Sequence, residues 1–579
     1  MYKQVYLDWL KSTKAEQYNE LNELKDNEKE IKERFSGSLA FGTAGMRGII
    51  GMGTNMMNEY VVAKATQGVA QYICSLGQEA KERGVILSYD TRRFSFEFAM
   101  ISAQVLAQNG INAFIFEDVR PVPMCSFAIR ELHCVAGIMI TASHNAKEYN
   151  GYKLYGDDGA QMSPEPTAMV VDFIDKIENV FAVKRAEISQ SDIKGKDNFK
   201  INNHITVIGK SIDDKYFAQI LKLSLSPKEV AKVSDKLKIV YTPIHGAGYK
   251  PVTTILAKMG ISPAIVEEQK LPDTEFSTVK MPNPEQPDAL ALGIKLAKQL
   301  GSDIVIGTDP DCDRMGVAIR DNNNEFILLT GNQIGSLLMD YILMRNTQNG
   351  TMPSNPAVIK TIVTTEFAQK IADKYNVTMF NVLTGFKFIG GLIKEWEVNH
   401  KHTFMFGFEE SYGYLCGTHA RDKDAVVASM LFAEMVCYYE ANNVKLFDKL
   451  EALRKELGYF FEDNFSVAFK GLDGMEKMSS LMDKLKMEQT KEIAGLAVVK
   501  NYNFFEDKIT LANGETQKIN LPKSAVLKFD LGENNWACIR PSGTEPKLKL
   551  YVSSCAKSMQ ESKALNAKIL TALIAKAQG

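Results

Sequence analysis

The feature that most constrains the fold is a recurring unit: a short apolar run, then a polar or glycine-rich loop, then a helix-like segment. It occurs at 84–93 (GVILSYDTRR), 237–248 (LKIVYTPIHGAG), 302–314 (SDIVIGTDPDCDR) and 403–413 (TFMFGFEESYG). The apolar runs are continuous rather than alternating, which is typical of strands covered on both faces, and the interleaved helices predict parallel α/β layers. Ligands of such layers bind beyond the carboxyl ends of the strands, so the chemistry is expected in these loops.

Length and charge narrow the class of protein. The 579 residues suffice for roughly three to five domains, and the net charge of −2 favours neither a nucleic-acid nor a membrane-surface partner. No apolar run reaches the length of a transmembrane helix, and the charged N-terminal segment does not resemble a signal peptide. The eight cysteines include no CxxC pair, which favours a reducing compartment. We expect a cytoplasmic protein of several domains.

Three aspartates in GTDPDCDR predict a metal site. Asp309, Asp311 and Asp313 occupy alternate positions after the apolar run DIVI. On a turning loop this spacing brings three carboxylates around one hard cation, and Mg²⁺ prefers such oxygen ligands. An EF-hand is excluded because Arg314 and Arg320 stand where its loop needs Gly and Glu. The alternative is a solvated acidic turn, in which the three carboxylates would repel one another beside a buried strand.

The loop RPSGTEPK has the composition of a phosphate site. Arg540 is suited to grip two phosphate oxygens at once. Ser542 and Thr544 add hydroxyl donors, and Gly543 lets backbone N–H groups approach. Lys547 adds positive charge. A polar turn between strands is the alternative, since Pro, Ser and Gly all favour turns.

The loop GFEESYGY offers polar groups to a sugar. Glu409 and Ser411 stand two positions apart after the apolar run FMF, and they present a carboxylate and a hydroxyl suited to sugar hydroxyls. Glycines on either side allow close approach of the backbone. Acidic turns are common and are usually only solvated, so this loop indicates a sugar site only in combination with the other loops.

The segment TASHNAKEYNGYK follows the apolar run CVAGIMI and contains the candidate nucleophile Ser143. No GxSxG elbow surrounds this serine, which disfavours acyl transfer, and a helix N-cap is the competing interpretation. A serine combined with a carboxylate cluster, a phosphate loop and a sugar loop favours phosphoryl transfer on a phosphorylated sugar. Lys153 or His144 would move the proton of the attacking hydroxyl. Arg47 in FGTAGMRG is a further phosphate-facing candidate, and a glycine-rich surface turn is its alternative.

Taken in this order, FGTAGMRG, TASHNAKEYNGYK, GTDPDCDR, GFEESYGY and RPSGTEPK resemble the loops of the α-D-phosphohexomutase family. The resemblance covers residues 35–555. It implies an α/β protein of four domains around a central cleft: three related α/β domains with mixed sheets, and a smaller C-terminal α+β domain. This replaces the purely parallel prediction. The implied domains span 1–205, 206–322, 323–455 and 456–579.

The resemblance also implies a role for each loop. It makes Ser143 the phosphoserine, whose phosphate would complete a Mg²⁺ site with Asp309, Asp311 and Asp313. It places Lys153 and Arg47 in the catalytic centre, and the proton carrier stays open between Lys153 and His144. The residues that it assigns to the substrate or its surroundings are Glu409 and Ser411 for the sugar, Arg540, Ser542, Gly543 and Thr544 for its phosphate, Arg314 beside the serine loop, Lys387 of TGFKFIG, and Arg421 and Lys423 of HARDKDAV.

The implied activity is interconversion of glucose 1-phosphate and glucose 6-phosphate through a phosphoserine enzyme, with glucose 1,6-bisphosphate as intermediate and activator. Sugar loops of the GEES type accompany glucose preference in the family, and phosphopentomutase and phosphomannomutase activities are the alternatives. A phosphomonoesterase would pass the phosphate to water, and a sugar-phosphate sensor would not need the serine and the metal carboxylates. We expect small sugar phosphates as the binding partners, and a monomer or homodimer.

Two departures from the family pattern limit what carries over. In the bacterial phosphomannomutase/phosphoglucomutase branch the sugar loop commonly reads GEMSGH, whereas this chain has EESYGY. A role for that histidine in proton transfer therefore does not carry over. The family's SHNP is SHNA here, with Ala146, a change that removes no chemical group.

Overall fold

The computed structural model describes residues 2–42, 45–469, 474–542 and 547–578. Within these ranges the chain forms three domains with mixed sheets between helices and a fourth with an antiparallel sheet, which confirms the fold class implied by the resemblance. In each of the first three sheets, one of the parallel strands continues through a tight turn into an antiparallel strand and so forms a hairpin. The tips of these hairpins carry the predicted serine, metal and sugar loops.

The first domain carries the serine loop on the hairpin β4–β5. Its elements are α1 (Tyr2–Ser12), α2 (Ala15–Glu23), α3 (Glu28–Phe35), β1 (Gly45–Ile49), α4 (Glu59–Ser75), α5 (Gln78–Arg83), β2 (Val85–Tyr89), α6 (Ser95–Gln108), β3 (Ala113–Phe116), α7 (Val122–Glu131), β4 (Ala136–Ile140), β5 (Tyr149–Gly156), α8 (Pro164–Asp175), β6 (Phe199–Lys200) and β7 (Ile205–Ile208). The sheet order is β1-β5-β4-β2-β3-β7-β6, in which β4, β2, β3 and β7 are parallel. Strands β1 and β5 add the antiparallel edge that brings the serine loop beside Arg47.

The second domain carries the metal loop on the hairpin β10–β11. Its elements are α9 (Lys210–Leu221), α10 (Pro227–Val233), β8 (Ile239–Thr242), α11 (Tyr249–Lys258), β9 (Ala264–Ile265), α12 (Glu267–Lys270), α13 (Pro287–Leu300), β10 (Ile304–Thr308), β11 (Met315–Arg320) and β12 (Phe326–Leu329). The sheet order is β12-β11-β10-β8-β9, in which β10, β8 and β9 are parallel and β11 and β12 are antiparallel additions.

The third domain carries the sugar loop on the hairpin β15–β16. Its elements are α14 (Gly331–Asn349), β13 (Pro356–Thr361), α15 (Phe367–Lys374), β14 (Thr378–Val382), α16 (Phe386–Asn399), β15 (Thr403–Glu409), β16 (Gly413–Cys416), α17 (Ala425–Ala441) and α18 (Leu446–Leu457). The sheet order is β14-β13-β15-β16, and β16 is the antiparallel member.

The fourth domain is an antiparallel sheet that packs against helices. Its elements are β17 (Tyr459–Ala468), α19 (Gly474–Met487), β18 (Glu492–Ile493), β19 (Leu496–Ala497), β20 (Lys500–Asn503), β21 (Lys508–Leu511), β22 (Thr516–Lys518), β23 (Leu527–Gly532), β24 (Asn535–Pro541), β25 (Lys547–Ala556) and α20 (Met559–Gln578). The main sheet has the order β17-β25-β24-β23-β20-β21-β22. The predicted phosphate loop connects β24 to β25.

The prediction of purely parallel layers is wrong at the hairpins. Strands β11 and β16 are about as buried as the parallel strands β8 and β10, so their sequences are similarly apolar although they run in the opposite direction. The first two sheets also extend past the implied domain limits at 205 and 322, because β7 belongs to the first sheet and β12 to the second.

The apolar cores show how the domains are joined. One cluster runs through the first three domains and includes Met139, Ile306 and Phe408. The fourth domain has its own core and meets the third at a smaller cluster that includes Ile362 and Trp536. The shared cluster therefore joins the first three domains and reaches the fourth at Phe460, and each of the first three domains also has an apolar cluster of its own. Every helix among the described residues is too short or too polar to cross a membrane.

Candidate active site

The serine loop at the tip of β4–β5 holds Ser143 in a buried, constrained position. Ser143 has a left-handed backbone, with a φ of 53°, and is 3% exposed. Its backbone N–H donates to Thr141 Oγ1 at 2.8 Å, and its hydroxyl donates to Asp309 Oδ2 at 2.9 Å. His144 Nδ1 lies 3.2 Å from the same hydroxyl. Because the loop continues into β5 rather than into a helix, the N-cap interpretation of Ser143 is wrong.

Arg92, which follows β2, fastens the serine loop. It is 3% exposed, and the shortest distance from its guanidinium to an Asp90 carboxylate oxygen is 3.4 Å. Its two terminal nitrogens donate to the carbonyl oxygens of Ser143, Asn145, Ala146 and Tyr149. The planar guanidinium of Arg92 thus holds four backbone carbonyl groups of the serine loop. Arg92 was not among the predicted site residues, although its motif DTRR stands at the carboxyl end of a predicted strand, where functional loops are expected.

Replacing Arg92 with Lys is expected to lower kcat/KM about a hundredfold, because a single ammonium cannot hold four carbonyls and a small displacement of the nucleophile is costly. Steady-state kinetics with a sugar 1-phosphate would measure the effect. Arg93→Lys is the matched control, since Arg93 is exposed and stacks on Phe94 in the same turn. Equal activity of the two variants would contradict the role assigned to Arg92.

The three aspartates of the metal loop converge as predicted. Carboxylate oxygens of Asp309, Asp311 and Asp313 lie within 4.8 Å of one another, and all three residues are buried. Asp309 Oδ1 accepts the backbone N–H groups of Asp313 and Arg314 at 3.1 and 3.0 Å. Burial, reinforced by the other two carboxylates, raises the pKa of Asp309 well above its usual range.

The donor set fits a hard divalent cation. Asp311 Oδ1 and Asp313 Oδ1 are buried and have no hydrogen-bond partner among the described residues. Oxygen atoms of this kind are costly to bury unless a cation or a donor satisfies them. Asp309, Asp311 and Asp313 would therefore hold a divalent cation, and the hydroxyl of Ser143 lies next to Asp309.

Two lysines border the aspartate cluster. Lys153 Nζ lies 2.8 Å from Asp311 Oδ2 and 3.3 Å from Asp313 Oδ2, and Lys423 Nζ lies 3.1 Å from Asp313 Oδ2. Burial opposes their charge, but the carboxylates prevail and raise the pKa of both lysines. Lys153 is therefore a cation rather than a base in this arrangement. Burial, together with neighbouring arginines, keeps the pKa of His144 well below its usual range, so its ring is neutral.

A cleft of about 640 Å³ lies between the four domains and joins the predicted loops. Within it, Arg314 Nη1 donates to Glu285 Oε1 at 3.0 Å and to the carbonyl oxygen of Ser411 at 2.9 Å. Arg314 thus ties the metal loop to the sugar loop rather than to the serine loop. The Glu409 carboxylate accepts the backbone N–H of Gly385 at 2.9 Å. Lining residues from all four domains include His144, Gln161, Glu285, Arg314, Glu409, Glu410, Ser411, Lys423, Glu462, Arg540 and Lys549.

The phosphate loop is partly visible. Arg540 on β24 lies opposite Lys549 on β25, and both line the cleft. Ser542 follows Arg540 at the end of the strand, and its backbone N–H donates to the carbonyl oxygen of Lys547 at 2.8 Å. Gly543 and Thr544, the other two predicted members, lie outside the described residues. Lys549 was not predicted, because its pairing with Arg540 across two strands cannot be read from the sequence.

Three predicted residues lie at or beyond the edge of the cleft. Arg47 is exposed and donates to Asn145 Oδ1 at 2.9 Å, so it borders the serine loop. Lys387 lies near the Phe388 ring, 5.4 Å from its centroid, and lines a neighbouring cavity. Arg421 is buried and pairs with Glu397, so the structure does not bring its guanidinium into the cleft.

Comparison with known proteins agrees with this architecture. Family models described as phosphoglucomutase/phosphomannomutase domains I, II and III match residues 38–181, 214–322 and 330–456, and the model of the C-terminal domain matches 482–570. The chain is 34% identical to a phosphoglucomutase of Staphylococcus saprophyticus over 92% of its own length and 94% of that protein. It is 35% identical to a phosphoglucomutase of Staphylococcus aureus, with 94% of each chain covered.

Solved structures share the fold at lower identity. The pp63/parafusin phosphoglucomutase of Paramecium, in its open form, has a TM-score of 0.69 and 16% identity, covering 94% of this chain and 95% of that one. A phosphoglucomutase/phosphomannomutase family protein of Burkholderia thailandensis has a TM-score of 0.64 and 16% identity, covering 93% and 98%. These two likenesses show the arrangement of the four domains.

Proposed function

Because the chain belongs to the α-D-phosphohexomutase family, and is thus an intramolecular phosphotransferase, we propose that it is a phosphoglucomutase that interconverts glucose 1-phosphate and glucose 6-phosphate. The observation that carries the proposal is the 2.9 Å contact between the Ser143 hydroxyl and Asp309, because the neighbouring residues His144 and Arg314 line a cleft built by four domains. The relatives with 34% and 35% identity are phosphoglucomutases, which supports glucose as the sugar.

In the proposed cycle the resting enzyme carries phosphate on Ser143. The free hydroxyl of glucose 1-phosphate attacks the phosphorus, the bond to Ser143 Oγ breaks, and glucose 1,6-bisphosphate forms. Mg²⁺ held by the three aspartates would neutralise charge on the phosphoryl group. Lys153 and Lys423, which contact the same carboxylates, add fixed positive charge at that point.

Proton transfer falls to His144 in this proposal. Its Nδ1 lies 3.2 Å from the Ser143 hydroxyl, within reach of the oxygen that gains or loses the phosphoryl group. In the first transfer the proton of the sugar hydroxyl ends on Ser143 Oγ, and in the second transfer it returns from Ser143 Oγ to the sugar oxygen. A neutral imidazole has one nitrogen that donates and one that accepts, so it can relay this proton in both directions. Lys153 is held as a cation by two aspartates and is better suited to stabilise charge.

The bisphosphate then turns over so that its other phosphate meets Ser143, which regains a phosphoryl group and releases glucose 6-phosphate. Glu409 and Ser411 would hold the sugar hydroxyls in either orientation. Arg540 and Ser542, with Gly543 and Thr544, would hold the phosphate that is not reacting. Closure of the fourth domain, which has a core of its own, would exclude water, which otherwise hydrolyses the phosphoserine.

Initial rates with glucose 1-phosphate, mannose 1-phosphate and ribose 1-phosphate test the proposal, each with Mg²⁺ and with or without trace glucose 1,6-bisphosphate. We expect glucose 1-phosphate to react fastest and the bisphosphate to stimulate it. Faster reaction of the ribose or mannose compound would identify a phosphopentomutase or phosphomannomutase with the same mechanism. Release of free phosphate without isomerised sugar would contradict mutase activity altogether.

A further inference from the structure

Glu410 follows the sugar-loop residue Glu409, but the two side chains serve different parts of the cleft. The Glu409 carboxylate accepts a hydrogen bond from the backbone of Gly385. Glu410 Oε2 instead accepts the hydroxyls of Thr361 and Thr364, at 3.3 and 3.4 Å, where β13 ends. Glu410 also lines the cleft. Two weak neutral donors and the backbone N–H of Glu410 itself act on this carboxylate, and charges farther away in the cleft also influence it.

Those charges lie on the fourth domain. Arg540 and Lys549, paired across β24 and β25, line the same cleft and act on Glu410 electrostatically. Other ionisable groups that interact with it include the preceding residue Glu409, which ends β15, and the buried side chains of Tyr551 and Cys538. Burial, reinforced by Glu409, raises the pKa of Glu410 to about 7 in spite of the two cations. Lys549 is itself affected, because burial beside Arg540 lowers its pKa.

We propose that Glu410 is a positioning residue that serves as an exchangeable counter-ion of the phosphate cradle formed by Arg540 and Lys549. This rests on the proposed function, in which the cradle holds the substrate phosphate. An ionised Glu410 neutralises part of the cradle when no phosphate is present, and it repels a dianion that enters. Since ionisation of Glu410 increases with pH, dianion binding weakens as the pH rises. A competing carboxylate of this kind keeps the cradle from holding one end of the bisphosphate too tightly to turn over.

Sulfate is a suitable probe, because it stays a dianion across the pH range in which Glu410 titrates. Its dissociation constant would be measured by calorimetry one pH unit below and one above the pKa of Glu410, for the wild type and for Glu410→Gln. We expect wild-type binding to weaken several-fold, up to about tenfold, over this range. Glu410→Gln should bind more tightly at the higher pH and lose the trend. Only the sulfate binding that Arg540→Ala abolishes is compared between the variants, because that portion occurs at the cradle.

Glu462→Gln is the matched control. Glu462 also lines the cleft and has a pKa raised to about 6 by burial, but its hydrogen-bond partners are Thr365 and Ser553. Burial and hydrogen bonds influence its pKa more than Arg540 and Lys549 do, so this variant should keep the wild-type pH trend. If Glu410→Gln fails to fold, Glu410→Ala carries the same expectation.

Persistence of the full pH trend in Glu410→Gln would overturn the inference and assign the trend to Lys549. Absence of sulfate binding that depends on Arg540 would also overturn it.

In kinetics, Glu410→Gln should lower both the KM for glucose 1-phosphate and kcat, a combination that a purely structural defect does not produce. Sulfate binding needs no turnover. A wild type that shows the sulfate trend without interconverting glucose phosphates would therefore contradict the proposed function and not the role of Glu410.

Discussion

Ser143→Ala is expected to remove at least about a thousandfold of the mutase rate, because the proposed cycle stores the phosphoryl group on this hydroxyl and no other residue replaces it. The fold should persist. Alanine lacks only one oxygen, and the left-handed backbone at this position already disfavours serine about as much as it would alanine. A coupled assay for glucose 6-phosphate measures the rate, and mass spectrometry of the loop peptide measures phosphorylation.

Ser163→Ala is the control for that experiment, since Ser163 is exposed and precedes α8 outside the cleft. It should retain wild-type activity and leave the phosphorylated peptide unchanged. Near-normal turnover of Ser143→Ala, or phosphate found on another residue of the wild type after incubation with glucose 1,6-bisphosphate, would refute Ser143 as the phosphoryl carrier.

The sequence predicted the layers of this fold but not the direction of every strand. Continuous apolar runs report burial on both faces of a sheet, and that burial is the same for β10, which is parallel to its neighbour β8, and for β11, which returns antiparallel. Direction is set by the length of the connection: a short loop such as 309–314 allows only a hairpin. Only the resemblance to a family with mixed sheets corrected the parallel prediction.

The site was predictable where chemistry is concentrated in short loops. The serine, metal and sugar motifs each follow a buried strand, and the structure brings them to one cleft. Arg92 was harder to predict, because its role depends on carbonyls more than fifty positions away. Arg421 was predicted to contact the sugar or its phosphate, but its guanidinium pairs with a side chain outside the cleft. Its motif is rich in charge, but its partner Glu397 lies on α16, a pairing that is invisible along the chain.

Asp309→Asn is expected to remove most of the mutase activity, about a thousandfold, and to stabilise the metal-free protein. Three buried carboxylates repel one another, and the asparagine keeps an oxygen for the backbone N–H groups of Asp313 and Arg314 while removing one charge. Without metal, the apparent midpoint of thermal unfolding should rise by about 2 °C or more. Added Mg²⁺ should raise the wild-type midpoint and leave the variant nearly unchanged.

A metal site predicts that Asp309→Asn lowers the activity but raises the unfolding midpoint of the metal-free protein. These opposite changes distinguish a metal site from a structural turn. If the three aspartates were only a hydrogen-bonded turn, removing one charge would change stability and activity in the same direction, and Mg²⁺ would act equally on both proteins. Asp235→Asn, at an exposed position of the same domain, controls for a general effect of lost charge. A lower unfolding midpoint for Asp309→Asn, together with an intact response to Mg²⁺, would contradict the metal assignment. Loss of one charge should stabilise a carboxylate cluster that holds no cation, whereas it should not stabilise a hydrogen-bonded turn.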